Sequence, residues 1–280
     1  MLLAVAGGVP WYLELFNGKL SAGENIRSLC FEPEGILVDE FKHIFHDLFG
    51  RRSKIYGELV TCLAKGSADY QTLATKLGYA SGGPLSEYLD DLIMSGFLNR
   101  DFTWDLKSGQ VGKLSKYRLS DNYLRFYLKY IAPQFKKIKQ GLFKNISITT
   151  LPNWEAIMGL QFENLVLHNR DLIHEQLVIK PEEIVFANPF FQRATSKQKG
   201  CQIDYLIQTR AGNLYVCEIK FSKQEIASKV IEEVKQKINN LKAPKGYACI
   251  PVLIHVNGVT PGIMDNDYFI KTIDFSQFIV

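Results

Sequence analysis

Residues 247–256 are apolar almost without a break (YACIPVLIHV), and that run constrains the fold more than any other feature of the chain. A strand with one wet face alternates apolar and polar positions. A strand that is apolar on both sides must be covered on both sides, as happens where helices flank a sheet with parallel neighbours. Ahead of this run lie three strand-like stretches, 184–191, 202–208 and 214–221, the last two joined by a hairpin turn at Arg210-Ala211-Gly212-Asn213. A helix is expected over 155–169, and a second, capped by Ser222, is expected to run to about residue 241. Another strand is expected over 268–273. A three-strand meander followed by a helical crossover to the buried strand makes a mixed α/β sheet.

Upstream the patterns change twice, so the chain divides into three expected blocks, 1–50, 51–135 and 136–280. In the first, Gly7-Gly8-Val9-Pro10 leads into a helical stretch at 11–16, and Ile36, Leu37, Phe41, Ile44, Phe45, Leu48 and Phe49 recur at helical spacing. His43 and His46 on that helix stand three apart rather than four and read as surface, not as metal ligands. The second block reads as helices over 55–64, 70–77 and 85–94, with Gly66 as a cap, Asp69 capping the second and Gly78 closing it. Ser81 or the glycines after it lead into the third helix, which Gly96 ends. A strand starting at 97–100, a turn over 104–113 and a strand over 114–119 follow. An aromatic-rich helix over 121–131, ended by Pro133, and a lysine-bearing connector over 134–145 complete the upstream part.

Eighteen Phe, thirteen Tyr and three Trp among 280 residues supply real cores, which excludes wholesale disorder. No apolar stretch approaches the roughly 18–20 residues of a membrane span. The opening MLLAVAGGVPWYL lacks a positive leading segment and carries Pro10 early, so it is not read as a signal peptide. Five cysteines without a CxxC pair point to reduced thiols and a cytoplasmic location rather than a disulfide framework or a zinc site. The net charge of +4, all of it contributed after residue 135, does not by itself announce a polyanion partner.

Three charged residues interrupt the apolar strands: Asp204 in IDYLI, and Glu218 and Lys220 in YVCEIKF. Charges in such strands are costly unless paired or placed on a metal. Glu218 and Lys220 stand two apart and share a face; with an odd-numbered loop between the strands, Asp204 falls opposite them on that face. Asp204, a spacer spanning 205–217, then Glu218-Ile219-Lys220 resembles the PD-(D/E)xK nuclease motif, with Ile203 where the namesake proline would stand. Glu163, in Gln161-Phe162-Glu163-Asn164 of the preceding helix, matches the helical Glu of many members, and the α-β-β-β-α-β order matches their core. The resemblance implies phosphodiester hydrolysis. Asp204, Glu218 and the main-chain carbonyl of Ile219 would bind Mg²⁺, Glu163 would add to the metal shell, and Lys220 would orient or help deprotonate the attacking water. Read from the residues alone, the same set is also a buried ion pair in a sheet that cleaves nothing.

The second block resembles a winged helix-turn-helix through TLATKLGYASGGPLSEYLDDLIMSGFLNR. Its third helix carries Glu87, Asp90 and Asp91 and no basic residue, which argues against base readout. Nonspecific phosphate contact would fall to Lys107, Lys113, Lys116 and Arg118 on the wing. The segment Gly7-Gly8-Val9-Pro10-Trp11-Tyr12-Leu13-Glu14 resembles the GGxPxYL segment of archaeal and bacterial AAA+/STAND-type ATPases, where a small helical lid, a winged helix and a PD-(D/E)xK-like part follow a P-loop domain. That implies an α+β chain in which a helical lid remnant and a winged helix precede a restriction-endonuclease-like α/β domain. The phosphate-cradling GxxxxGK[ST] does not occur; Gly18-Lys19 is followed by Leu20, so no ATP site is expected here. The expected activity is Mg²⁺-dependent cleavage of nucleic acid, with a non-catalytic interaction or regulatory module carrying a vestigial nuclease fold as the alternative.

Overall fold

The computed structural model describes residues 1–79, 83–196 and 198–278, with Arg51 described in its backbone only. The expected lead-in at Ser81 lies outside the described residues. The fold is mixed α+β, in two compact units: Met1–Arg100 with Lys116–Ile157, and Asp101–Ser115 with Met158–Val280.

The first unit opens with two short helices, α1 (Leu2–Ala6) and α2 (Pro10–Glu14). Gly7, at φ 64°, breaks the chain between them, and Pro10 starts α2 because a first-turn residue needs no amide donor. Helix α3 (Ala22–Phe31) begins in a capping box of Ser21 and Glu24. Helix α4 (Ile36–Phe49) buries Leu37, Val38 and Phe45 and leaves His43 and His46 exposed. Its Phe41 stacks on Phe45 and on Tyr127, ring centroids 4.4 and 4.5 Å apart.

Helices α5 (Ser53–Leu63), α6 (Tyr70–Leu77) and α7 (Pro84–Met94) follow. Asp69 caps α6 by accepting the Thr72 amide at 2.8 Å, and Gly78 closes it at φ 72°. Gly66 is not the cap of α5; Ala64 takes that position. The outward face of α7 carries Glu87, Asp90 and Asp91. The hairpin of β1 (Leu98–Trp104) and β2 (Val111–Leu119) has a shorter turn than the sequence suggests. Asp105 accepts the amides of Lys107 and Ser108 and Gly109 sits at φ 71°, so the turn closes within six residues, 105–110. After it come α8 (Asn122–Phe126), a wider π-type turn over Tyr127–Ile131, and α9 (Phe135–Lys139).

The second unit holds the tip of that hairpin and the sheet. Trp104 is buried against Phe186 and Phe190, and its indole N–H donates to Gln208, whose amide donates to the Leu106 carbonyl at 2.9 Å. Helix α10 (Trp154–His168) leads in and α11 (Arg170–Gln176) follows it. The strands β3 (Ile184–Gln192), β4 (Cys201–Thr209) and β5 (Asn213–Lys220) form an antiparallel meander. Helix α12 (Lys229–Asn240) crosses to β6 (Ala248–His255), parallel to β5; α13 (Pro261–Met264) then leads to β7 (Lys271–Asp274), parallel to β6. The sheet order is β3-β4-β5-β6-β7.

Strand β6 is covered on both faces. One core gathers Leu206, Leu214, Val216 and Leu253 with Val230, Ile231 and Val234 of α12. The other gathers Tyr205, Ile207, Cys217, Ile219, Val252 and Ile254 with Phe162 and Val166 of α10. Each fully buried aliphatic side chain of this kind contributes roughly 1.5–3 kcal/mol.

Helix α12 starts six residues later than a cap at Ser222 would place it. Ile226 is held extended by a parallel bridge to Val259, its amide donating to the Gly258 carbonyl and its carbonyl accepting the Thr260 amide, at 3.1 and 3.0 Å. A residue pinned as a strand on both polar groups cannot join a helix.

Burial lowers the pKa of His255 on β6, against the opposing charge of Asp274, and lowers that of His174 on α11. A depressed folded-state pKa means that the unfolded chain binds the proton more readily, so stability is full above about 6.5 and falls as pH drops below it. The expected outcome is that between about pH 7.5 and 5.5 the wild type loses more stability in urea unfolding than His255→Leu does. Parallel pH profiles would contradict the assignment to His255.

Candidate active site

A β-bulge builds the site. Asn188 pairs with Leu206 and Phe190 pairs with Ile203, so two residues of β4, Asp204 and Tyr205, lie opposite Pro189 alone. Proline has no amide to donate, and a bulge is where a sheet tolerates one. The extra residue turns Ile203 and Leu206 into the core beneath α12 while Tyr205 enters the opposite one. Bulges of this kind re-aim a side chain beside a functional centre.

On the other side of β4, Tyr205 pairs with Cys217 and Gln208 with Leu214, leaving an odd-numbered loop over residues 209–213. The structure therefore brings Asp204 level with Glu218. The Asp204 Oδ2 accepts the Ile219 main-chain amide at 3.0 Å. Lys220 Nζ lies 3.0 Å from Glu218 Oε1 and 2.9 Å from Glu233 Oε2 of α12. Ile219 turns its side chain into the opposite core. Asp204, Glu218 and Lys220 thus meet at one place.

Lys237 of α12 completes the cluster. Its Nζ lies 3.3 Å from Asp204 Oδ1 and donates a short hydrogen bond to Glu218 Oε2. Glu218 is 2% exposed, while the side chains of Asp204 and Lys237 are 18% and 25% exposed. Burial raises the Glu218 pKa, helped by the charge of Asp204 and opposed by Lys237 and Lys220. Burial opposes the charge of Lys237 too, but the carboxylates of Asp204 and Glu218 outweigh it, and its pKa is raised. Lys220 is likewise raised, burial being outweighed by Glu218 and Glu233, and the hydrogen bond from Lys220 lowers Glu233.

Glu163 is half-buried on α10, whose Phe162 and Val166 belong to the core on the face of the sheet opposite α12. The structure does not gather it with Asp204 and Glu218 into a three-carboxylate set: among the described residues no group of three or more His, Cys, Asp and Glu side chains could hold a metal ion. The oxygens of Asp204 and Glu218 nevertheless fit a hard divalent cation, because one from each carboxylate already converges on a single cation, the Lys237 ammonium.

Sequence reasoning missed Lys237 and Glu233. A signal was present: Val230, Val234 and Leu241 mark the buried stripe of α12, and Lys237 sits within it, three residues after Val234. Of the basic residues expected on the wing, Lys113 is exposed and Lys116 half-buried. Arg118 is 6% exposed, which corrects its expected place among the phosphate contacts: β2 turns it inward, and its guanidinium is not on the surface.

Among the described residues no helix is long and apolar enough to cross a membrane, and all five cysteines are free. No family model matches the chain. It is similar to an uncharacterized protein of Methanocaldococcus jannaschii, 26% identical over 162 residues; the match covers 57% of this chain and spans about a third, 35%, of that protein. Among solved structures, a repair endonuclease from Pyrococcus abyssi overlays on 39% of this chain and 46% of its own, at 15% identity and a TM-score of 0.26. The SdaI restriction endonuclease overlays on 80% and 86%, at 11% identity and a TM-score of 0.24. Both overlays are loose, and the fold described above stands on its own strand order and register.

The cluster makes a stability prediction. Lys220→Met with Lys237→Met leaves Glu218 buried without a cation, and removing the partners of a buried charge costs about 3–5 kcal/mol. Glu218 already has a raised folded-state pKa, so the folded variant binds the proton more readily than its unfolded chain does. Its deficit is therefore full at pH 7 and shrinks as pH falls toward 4.5, the ordinary Glu value. Chemical denaturation at pH 7 and 5 measures it; a deficit that grows on acidification would contradict the account.

Proposed function

We propose that the second unit is a metal-dependent phosphodiesterase of the PD-(D/E)xK type, acting on nucleic acid. The observation that carries this reading is the convergence of Asp204 and Glu218 on one cation, with Lys220 beside them. The charged residues singled out in the apolar strands come together at the site for which the motif would use them. Asp204 and Glu218 would hold Mg²⁺, with the carbonyl of Ile219 as a further oxygen donor. Bound there, the ion supplies polarisation of the scissile phosphate and a more acidic water. The chain's own groups do the rest. The Ile219 amide fixes the rotamer of Asp204. Lys220, anchored between Glu218 and Glu233, offsets phosphate charge and orients the water. Glu163, which the motif would add to the metal shell, is not gathered with them, so the reading rests on Asp204 and Glu218.

The wider assignment is the C-terminal region of an ATPase-family protein located in the cytoplasm. The order of a glycine–proline turn, three helices with a hairpin, and the sheet supports it, and the five free thiols suit a reducing compartment. In this reading α5 to α7 with β1 and β2 are the winged helix. Its exposed Lys113 and its Lys116 offer phosphate contacts without base readout, since α7 presents acidic residues outward.

A second reading, a non-catalytic interaction or regulatory module with a vestigial nuclease fold, is favoured by one observation: Lys237 already neutralises the two carboxylates. Cleavage of single-stranded, duplex and branched DNA and of RNA, with Mg²⁺ and Mn²⁺, separates the two. The expected result is metal-dependent cleavage that Asp204→Asn lowers by about a hundredfold or more, with the fold retained. Equal traces for wild type and variant favour the interaction module.

A further inference from the structure

We infer that Lys237 is a built-in stand-in for the divalent cation, its ammonium occupying the position between Asp204 and Glu218 that the metal would take, so that metal binding displaces it. The inference rests on the metal-site reading above and goes beyond it to how that site is held without metal.

The oxygens decide the matter. Each carboxylate has two, and one of each is engaged elsewhere: Asp204 Oδ2 by the Ile219 amide at 3.0 Å and Glu218 Oε1 by Lys220 at 3.0 Å. Asp204 Oδ1 and Glu218 Oε2 are the pair directed at a shared centre, and Lys237 Nζ sits on both. An ammonium and a divalent cation cannot share that pair, because two positive charges would stand within contact distance. One must leave for the other to bind.

Lys237 is able to leave. Its side chain is one quarter exposed, and it hangs from α12 by four methylenes, with its ammonium held by these two carboxylates. Glu233, one helical turn earlier on the same side and 40% exposed, offers a second anion on the path to solvent. Lys220 stays behind, held by Glu218 and Glu233, so the site keeps its substrate-facing ammonium after the exchange. The protein therefore has two arrangements of one cluster, lysine-filled and metal-filled, and the apparent metal affinity is reduced by the fraction of molecules that are lysine-filled.

The test is Mn²⁺ titration of the full chain, followed by calorimetry and by the loss of the free Mn²⁺ electron paramagnetic resonance signal, with no substrate present. Wild type is expected to bind one Mn²⁺ weakly, and Lys237→Met to bind it about tenfold tighter or more. Asp204→Asn removes binding in both backgrounds. Lys237→Gln runs in parallel and decides the comparison if the Met variant does not fold, as judged by circular dichroism. Equal or weaker Mn²⁺ binding by the Lys237 variants overturns the stand-in role while leaving the metal site intact. Absence of Mn²⁺ binding in every folded protein overturns both this inference and the proposed metal-dependent chemistry.

Discussion

Two carboxylates on neighbouring strands, one of them almost fully buried, cannot both stay ionised without a cation between them. A charge pair about 4 Å apart in a partly buried setting is worth on the order of 4 kcal/mol, comparable with the several kcal/mol lost when each ion leaves water. Lys237 supplies that cation from α12, and Lys220 and Glu233 extend the cluster to the helix a second time. Apolar burial would let the crossover helix slide along the sheet; ion pairs made at two points one turn apart fix its register. The bulge opposite Pro189 serves the same end from the strand side, since it turns Asp204 toward the helix without breaking the core around it.

Much of the second unit was legible in the sequence because its signals are local. The apolar run at 247–256 demanded a doubly covered strand, and β6 lies between two cores. The glycine-bearing turn at 210–213 marked a hairpin, but the sequence left the parity of its loop open; the structure's five-residue loop over 209–213 sets the register that brings Asp204 level with Glu218. What stayed hidden depends on pairing at a distance. The start of α12 is delayed by the bridge between Ile226 and Val259, thirty-three residues apart, and no local propensity reports such a contact. Lys237 was hidden differently: an amphipathic helix with many lysines looks solvated, and only its place in the buried stripe sets this one apart.

The first unit shows the limit of motif reading in another way. Three helices and a hairpin follow one another in the order expected over 51–135, but the chemistry along them is not that of a base reader: α7 shows carboxylates to solvent, and Arg118 is turned inward. The hairpin tip belongs to the second unit, where Trp104 is fixed by two aromatic rings and by Gln208, so that end of the hairpin serves as a packing element.

Anomalous diffraction from crystals equilibrated with Mn²⁺ tests the central claim most directly, because it sees the ion and the lysine in one experiment. The account predicts a single strong peak within about 2.0–2.6 Å of oxygens from Asp204 and Glu218, with the Lys237 ammonium moved away from both. A map with no peak there and Lys237 still bridging the two carboxylates at saturating Mn²⁺ would contradict it.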